Sequence, residues 1–223
     1  FYGYNLMSAI PIAAGDFDGD GRDEVAVTYT GYSSDKFDRT VHIYKATTNS
    51  LSLMQTIKQS DITAYPYTKN DPACLPQIHL AAGDLDDDNR EELIITASTP
   101  HRVSGDTKIV VPRTTVWSIG KKEKSFSKKA TFDHAWKYTE YDSADESGKT
   151  QFGSYGSAAV GDIDGDEKNE LVMAANDMVS DKIEDVNRAI NTNSAIISAA
   201  KYSSGKYEKY LGAVGHSVRI HSS

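Results

Sequence analysis

The chain has 223 residues, of which 39% are hydrophobic, a net charge of −8 and a single cysteine, Cys74. This length supports one or two domains with a real core, and one cysteine excludes an internal disulfide framework. No apolar run approaches the roughly 20 residues that a membrane-spanning helix needs, and scattered basic residues argue against nucleic acid as a partner.

The first elements are short apolar runs that alternate with polar turns, and this pattern favours β-structure. One apolar run precedes the acidic loop 16–24, and a second apolar run follows it. After a variable polar stretch come "TVHIYKA" (40–46), a short turn and "LSLMQTIK" (51–58). The order is therefore strand, acidic loop, strand, variable loop, strand, tight turn, strand.

Two further copies of this unit follow in the chain. "AAGDFDGDGRDEVAVT" (13–28), "AAGDLDDDNREELIIT" (81–96) and "AVGDIDGDEKNELVMA" (159–174) align without a gap. Repeated units of four antiparallel strands predict an all-β fold, a β-propeller with three blades in this chain. We expect residues 1–223 to be a single propeller region, with blades at about 8–59, 77–132 and 153–215.

Three blades are too few to close a propeller, which typically has four to eight. The first residue is Phe1 rather than Met, so we expect a processed chain or a fragment. Further blades of the same protein, or other copies in a homo-oligomer, would then complete the ring.

Insertions account for the length by which each unit exceeds the shorter propeller repeats. They lie between the second and third strands (33–39, 98–113, 176–193) and between units (60–77, 133–151). Asp181 and Glu184 could form the capping box of a short helix. In an antiparallel blade both kinds of insertion lie on the face opposite the acidic loops, and we call this the elaborated face.

The acidic loops predict three metal sites. Acids recur at positions 1, 3, 5 and 9 of each loop, and the backbone carbonyl of position 7 would complete an oxygen cage. The expected ligands are Asp16, Asp18, Asp20, Arg22 and Glu24; Asp84, Asp86, Asp88, Arg90 and Glu92; and Asp162, Asp164, Asp166, Lys168 and Glu170. Ca²⁺ takes about 6–8 oxygen ligands in flexible loops, so we expect up to three calcium ions, one in each loop.

The loops do not fit the other common metal-binding patterns equally well. An EF-hand needs a glutamate at position 12, where Val27, Ile95 and Met173 stand here. Mg²⁺ demands a near-ideal octahedron, and zinc prefers His and Cys ligands. An acidic hairpin without a specific metal stays open, although three copies in phase with the repeat disfavour it.

The loops resemble the calcium loops of FG-GAP repeats, found in the integrin alpha-subunit propeller and in bacterial FG-GAP/VCBS-type proteins. "FGSYGSAAVGDIDGDEKNELVMA" (152–174) also carries the leading Phe-Gly of that family. The resemblance implies a propeller, usually of seven blades, with one Ca²⁺ in the loop that joins the first two strands of a blade. The chain departs from the family in lacking Gly-Ala-Pro after the second strand. Its third loop has Glu167 where Gly21 and Asn89 tolerate left-handed backbone.

Three functions are compatible with these patterns. The first, which the resemblance favours, is a secreted or cell-surface adhesion module whose ligand, a carbohydrate or a protein, docks on the elaborated face. The candidate ligand-binding residues there are Tyr65, Tyr67, Trp136, Tyr138 and Tyr141, although these aromatic residues could equally pack the loops onto the blades. The second is the propeller of a polysaccharide-degrading enzyme such as a lyase, for which the sequence offers no catalytic residues. The third is a ligand-free structural segment of a large surface protein.

Overall fold

A computed structural model describes residues 10–33, 36–63, 77–104, 107–120, 124–133, 156–178 and 192–219. The first unit contains β1 (Ile12–Gly15), β2 (Glu24–Ser33), β3 (Lys36–Ala46) and β4 (Leu51–Ile57), followed by the one-turn helix α1 (Gln59–Ile62). The second contains β5 (Gln77–Gly83), β6 (Glu92–Ser104), β7 (Thr107–Ser118) and β8 (Ser127–Asp133). The third contains β9 (Gly156–Gly161), β10 (Glu170–Met178), β11 (Thr192–Ser203) and β12 (Lys206–Arg219).

The strands form three four-stranded antiparallel sheets, and in each sheet the strands lie side by side in chain order. This confirms the predicted all-β fold and its three blades. The innermost strands are neighbours, because β5 contacts both β1 and β9. Within the described ranges, no helix is long and apolar enough to span a bilayer.

The second and third strands are longer than the sequence pattern predicts. The stretches 33–39 and 98–113 were expected to be variable loops, and this prediction is wrong. Strands β2 and β3 pair as far as Ser33 opposite Lys36, and β6 and β7 pair as far as Ser104 opposite Thr107. Each insertion therefore lengthens a hairpin, so that its polar residues extend the strands.

The blades pack face to face through two apolar clusters. The first cluster lies between units 1 and 2 and includes Phe17, Ile43, Leu93 and Phe126. The second lies between units 2 and 3 and includes Leu85, Ile94, Leu171 and Met173. Successive side chains of a strand point to opposite faces, so Leu93 faces unit 1 while Ile94 faces unit 3. This double burial explains why the run "LIITA" in β6 is apolar without a break.

The three units share an irregularity in the pairing of their third and fourth strands. The pairing of the third and fourth strands shifts between Ile43 and Tyr44, between Val116 and Trp117, and around Ala199. A β-bulge increases the local twist of a sheet and redirects the side chains beside it. In each blade the shift ends at the residue directly before Lys45, Ser118 or Lys201, and these three residues lie beside the acidic loops.

Candidate metal centres

Each acidic loop joins the first strand of a blade to the second, as the sequence predicts. The pairing of Gly15 with Glu24, Gly83 with Glu92 and Gly161 with Glu170 closes the three loops identically. The glycine that precedes each loop therefore meets the loop's last residue at its base.

The aspartate at position 1 holds the loop in shape. Asp16 Oδ1 accepts hydrogen bonds from the backbone N–H groups of Gly19 (2.8 Å) and Asp20 (3.0 Å), and its Oδ2 accepts one from Gly21 (2.8 Å). Asp84 accepts the equivalent three bonds, and Asp162 accepts two. These bonds fold the backbone of each loop around the carboxylate of position 1.

Left-handed backbone occurs at two positions of every loop. Position 4 has φ of 76° at Gly19, 62° at Asp87 and 81° at Gly165. Position 6 has φ of 83° at Gly21, 64° at Asn89 and 67° at Glu167. Glu167 thus adopts the same conformation as its counterparts, although a residue with a Cβ atom is strained there. Position 6 was expected from the sequence to need left-handed backbone, whereas position 4 was not, although glycines occupy it in loops 1 and 3.

The glutamate at position 9 is buried in all three loops. The relative exposure is 0% for Glu24, 1% for Glu92 and 1% for Glu170. One oxygen of each accepts the N–H of position 2, at 3.1 Å for Phe17, 2.7 Å for Leu85 and 3.0 Å for Ile163. The other oxygen of Glu24, Oε1, is buried without a hydrogen bond. A buried carboxylate oxygen of this kind is costly unless a cation or donor compensates it.

Burial changes the acidity of these glutamates. Desolvation, assisted by the negative charges of Asp86, Asp84 and Asp88, raises the pKa of Glu92 to about 8. Desolvation and then the charge of Asp18 also raise the pKa of Glu24, while Lys45 opposes the rise. In the metal-free protein, Glu92 therefore retains its proton at neutral pH.

Three carboxylates come together in each loop, at positions 1, 3 and 9. The groups are Asp16, Asp18 and Glu24; Asp84, Asp86 and Glu92; and Asp162, Asp164 and Glu170, and one oxygen of each member lies within 4.8 Å of the others. The aspartates of position 5 do not belong to these groups. Asp20 Oδ1, Asp88 Oδ1 and Asp166 Oδ1 instead accept the N–H of position 7, and the role of the position-7 carbonyls stays a prediction.

A lysine that the sequence pattern did not predict contacts the first loop. Lys45 Nζ lies 2.5 Å from Asp18 Oδ2, 2.7 Å from Asp20 Oδ2 and 3.7 Å from Glu24 Oε1. Hydrogen bonds to Asp18 and Asp20 raise the pKa of Lys45, so its ammonium group remains charged. The signal for this residue was the strand register, since Lys45 pairs directly with Glu24.

The middle loop borders a cleft of about 490 Å³ between units 2 and 3. Asp86, Asp88 and Glu92 line one side, and Tyr202 and Tyr207 line the other. Burial raises the pKa of Tyr207, and the nearby charges of Glu92 and Asp86 raise it further, so the phenol stays protonated. Lys129 and Lys206 also line this cleft.

Several residues to which the sequence analysis assigned a role lie outside the described residues. They are the predicted ligand-binding residues Tyr65, Tyr67, Trp136, Tyr138 and Tyr141, and the proposed helix cap at Asp181 and Glu184.

Comparison with known proteins agrees with the loop geometry. Residues 12–44, which run from β1 through the first loop into β3, match the model of the FG-GAP repeat. No curated protein matches the chain. The matched segment contains one complete acidic loop, and the other two loops reproduce its closing pair, its buried glutamate and its carboxylate group.

Proposed function

We propose that this chain, whose residues 12–44 match the FG-GAP repeat, is a calcium-stabilised binding module of the extracellular space. The observation that carries the proposal is the threefold recurrence of one donor set, in which two aspartates and a fully buried glutamate converge on one point. Oxygen-only donors in a flexible loop suit Ca²⁺ better than Mg²⁺ or Zn²⁺.

The buried Glu24 Oε1, which has no hydrogen bond, supports a cation in the loop. The glutamates of position 9 belong to the second strand, and the aspartates of position 1 follow the first strand, so a bound ion would clamp the two strands together. An ion that binds only the folded loop stabilises the protein by mass action. Extracellular modules bind Ca²⁺ with Kd of about 10⁻⁴–10⁻³ M, a range that suits a secreted or cell-surface protein.

Calorimetric titration of the metal-stripped protein with CaCl₂, at pH 8, tests the metal assignment. We expect heat of binding and a melting midpoint that rises with calcium and falls again with EDTA. Glu92→Gln should remove one binding equivalent, because the amide oxygen is uncharged. The matched control is Asp87→Asn, which also removes one negative charge from the loop, but at an exposed position outside the carboxylate group. No heat at millimolar calcium and an unchanged midpoint would refute the proposal.

We propose the elaborated face as the ligand-binding surface, with a carbohydrate or a protein as the ligand. The support is compositional: Trp136 and four tyrosines, Tyr65, Tyr67, Tyr138 and Tyr141, stand among polar residues between the blades, and such residues are common at binding hot spots. A glycan array of the calcium-loaded protein, repeated with Trp136→Ala, tests this face. If Trp136→Ala retains glycan binding, the glycan binds at a site that does not use Trp136.

A further inference from the structure

The last three residues of the middle loop, Arg90, Glu91 and Glu92, face two loops at once. Glu92 belongs to the middle carboxylate group, and its carboxylate accepts the N–H of Leu85. The two residues before Glu92 contact the first loop, which belongs to the preceding unit. Consecutive residues of one short stretch therefore serve two neighbouring sites.

Glu91 holds the backbone of Asp16 from both sides. Its N–H donates a hydrogen bond of 3.1 Å to the Asp16 carbonyl, and its carboxylate accepts a hydrogen bond from the Asp16 N–H. Glu91 Oε2 lies where a Cβ atom would project from Gly15, so the carboxylate uses the space that the missing side chain leaves. Asp16 in turn accepts the N–H groups of Gly19 and Gly21 and belongs to the first carboxylate group. A residue of unit 2 therefore fixes the position of a predicted metal ligand in unit 1.

Arg90 covers the turn of the same loop. A Cβ atom on Gly19 would lie 2.8 Å from Arg90 Nε, and Arg90 Nη1 donates a hydrogen bond of 3.1 Å to the Ile119 carbonyl of its own unit. At the next junction Asn169 takes the place of Glu91, because its Nδ2 donates a hydrogen bond of 3.0 Å to the Asp84 carbonyl. Both junctions thus bring position 8 of the later loop onto position 1 of the earlier one.

We infer that neighbouring loops bind calcium with positive coupling, and that Glu91 and Asn169 are the positioning residues that transmit it to Asp16 and Asp84. This inference rests on the proposed function, because it presumes that the loops bind calcium. An ion in the middle loop would hold Glu92, and with it the adjacent Glu91, so that Asp16 is already in place for a second ion. Linkage makes the effect reciprocal, so an ion in the first loop favours binding in the middle loop by the same factor.

The charges around Glu91 act in the same direction. Burial, followed by the negative charges of Asp23 and Asp16, raises the pKa of Glu91; Asp84 adds to the rise, while the hydrogen bond from Asp16 opposes it. Asp16 and Asp84 stand at position 1 of two different loops. An ion in either loop therefore weakens the repulsion that opposes the contact between Glu91 and Asp16. Both ions stabilise one and the same contact.

Repulsion between the two ions opposes this coupling only weakly. The first loop, 16–24, has five acids and one arginine, and the middle loop, 84–92, has six acids and one arginine. One Ca²⁺ leaves either loop negatively charged, so an occupied loop still attracts a cation to its neighbour. Salt at physiological concentration further screens charges that are exposed to solvent.

Three proteins test the coupling by calcium titration at pH 8. Glu92→Gln with Glu170→Gln leaves the first loop intact, Glu24→Gln with Glu170→Gln leaves the middle loop intact, and Glu170→Gln alone leaves both. Independent loops would make the isotherm of the two-loop protein the sum of the two single-loop isotherms. We expect a steeper isotherm instead, in which occupation of one loop lowers the Kd of the other about fivefold.

Variants at position 8 then test the positioning residue. Glu91→Ala in the two-loop protein should remove the fivefold gain, whereas Glu91→Gln, whose amide oxygen can still accept the Asp16 N–H, should retain part of it. Asp23→Ala is the matched control, because Asp23 is an exposed acid at position 8 of the first loop, and it should leave the gain unchanged. A merely structural Glu91 would lower the melting midpoint without changing the ratio of the Kd values.

Amide hydrogen exchange gives a second readout that needs only one disabled loop. In Glu24→Gln, saturation with calcium should slow exchange at the Gly19 and Gly21 amides, which donate to Asp16, about fivefold although their own loop has lost a ligand. Adding Glu91→Ala should remove this protection.

If Glu91→Ala does not fold, the other junction offers the same test. In Glu92→Gln, calcium should protect the Asp87 and Asn89 amides, which donate to Asp84, and Asn169→Ala should remove that protection.

The outcomes distinguish the two proposals. Additive isotherms, or no calcium-dependent protection of the first loop in Glu24→Gln, would overturn the coupling while calcium binding stands. Full coupling in both Glu91→Ala and Asn169→Ala would overturn the role of position 8. If the unaltered protein binds no calcium, the proposed function fails, and the coupling fails with it.

Discussion

Asn169 Nδ2 donates a hydrogen bond of 3.0 Å to the backbone carbonyl of Asp84. The bond joins position 8 of the third loop to position 1 of the middle loop. Units 1 and 2 are joined at the same place by a backbone bond of 3.1 Å from Glu91 N to Asp16 O. Neighbouring acidic loops are therefore in direct contact, and each junction uses position 8 of the later unit.

Asn169→Ala should lower the free energy of unfolding by about 1 kcal/mol, because it removes one hydrogen bond and leaves the Asp84 carbonyl without that donor. Urea denaturation in EDTA measures the change. Asn49→Ala, in the exposed turn between β3 and β4, is the matched control and should stay within about 0.5 kcal/mol of the parent. Equal effects of the two substitutions would mean that the contact between loops contributes nothing.

Glu92 should make the metal-free protein less stable as the pH rises. Its pKa is about 8 in the folded protein, against an ordinary value of 4.5. Between those two values the unfolded chain has released a proton that the folded protein still holds, so the free energy of unfolding falls with increasing pH. Below about pH 4.5 both states are protonated, and the stabilising effect is fully present.

Urea denaturation in EDTA at pH 5, 6, 7 and 8 measures this dependence, with Glu92→Gln as the comparison. The variant has no proton to lose at this position and should show a weaker decline. Because calcium needs the ionised carboxylate, binding at pH 6–7 should also release a proton, which titrations in buffers of different ionisation enthalpy detect. Identical pH profiles in the two proteins would rule out Glu92 as the source.

The sequence was sufficient for features that repeat and insufficient for features that depend on pairing across strands. The acids at positions 1, 3 and 9 were found because the three copies align without a gap, and their convergence follows from the shared hairpin. Lys45 was not found, because it is 21 residues from Glu24 and becomes its neighbour only through the register of β2 and β3. The long hairpins were missed because polar residues at the ends of long strands look like loop residues.

Glu167→Gly should stabilise the protein, in contrast to the usual effect of a glycine substitution. Glu167 has a φ of 67°, where a Cβ atom costs about 1–2 kcal/mol and glycine avoids that strain. The greater freedom of glycine in the unfolded chain offsets part of the gain. We expect a net increase of about 1 kcal/mol in the free energy of unfolding. Glu208→Gly, at an exposed position of β12, should lower it by about 0.5–1 kcal/mol. A loss of stability in both variants would contradict the strain at Glu167.

Gly83→Ala should destabilise the junction between units 2 and 3. A Cβ atom on Gly83 would lie 2.8 Å from Val160 Cβ, closer than packed side chains allow. Overpacking of this kind costs about 1–3 kcal/mol, which urea denaturation of the isolated chain would measure. Gly161 occupies the same place in the third unit, and a Cβ atom there would meet nothing within 4 Å.

The comparison with Gly161→Ala also tests whether another blade covers unit 3. Ile163, at position 2 of the third loop, is 49% exposed, whereas its counterparts Phe17 and Leu85 are buried against the following unit. If the third unit is open in solution, Gly161→Ala should be tolerated within about 0.5 kcal/mol. If a further blade or a second copy packs there as the first two junctions do, Gly161→Ala should cost as much as Gly83→Ala. In a homo-oligomer the substitution should also lower the apparent mass in solution, because the same alanine would obstruct the contact between copies.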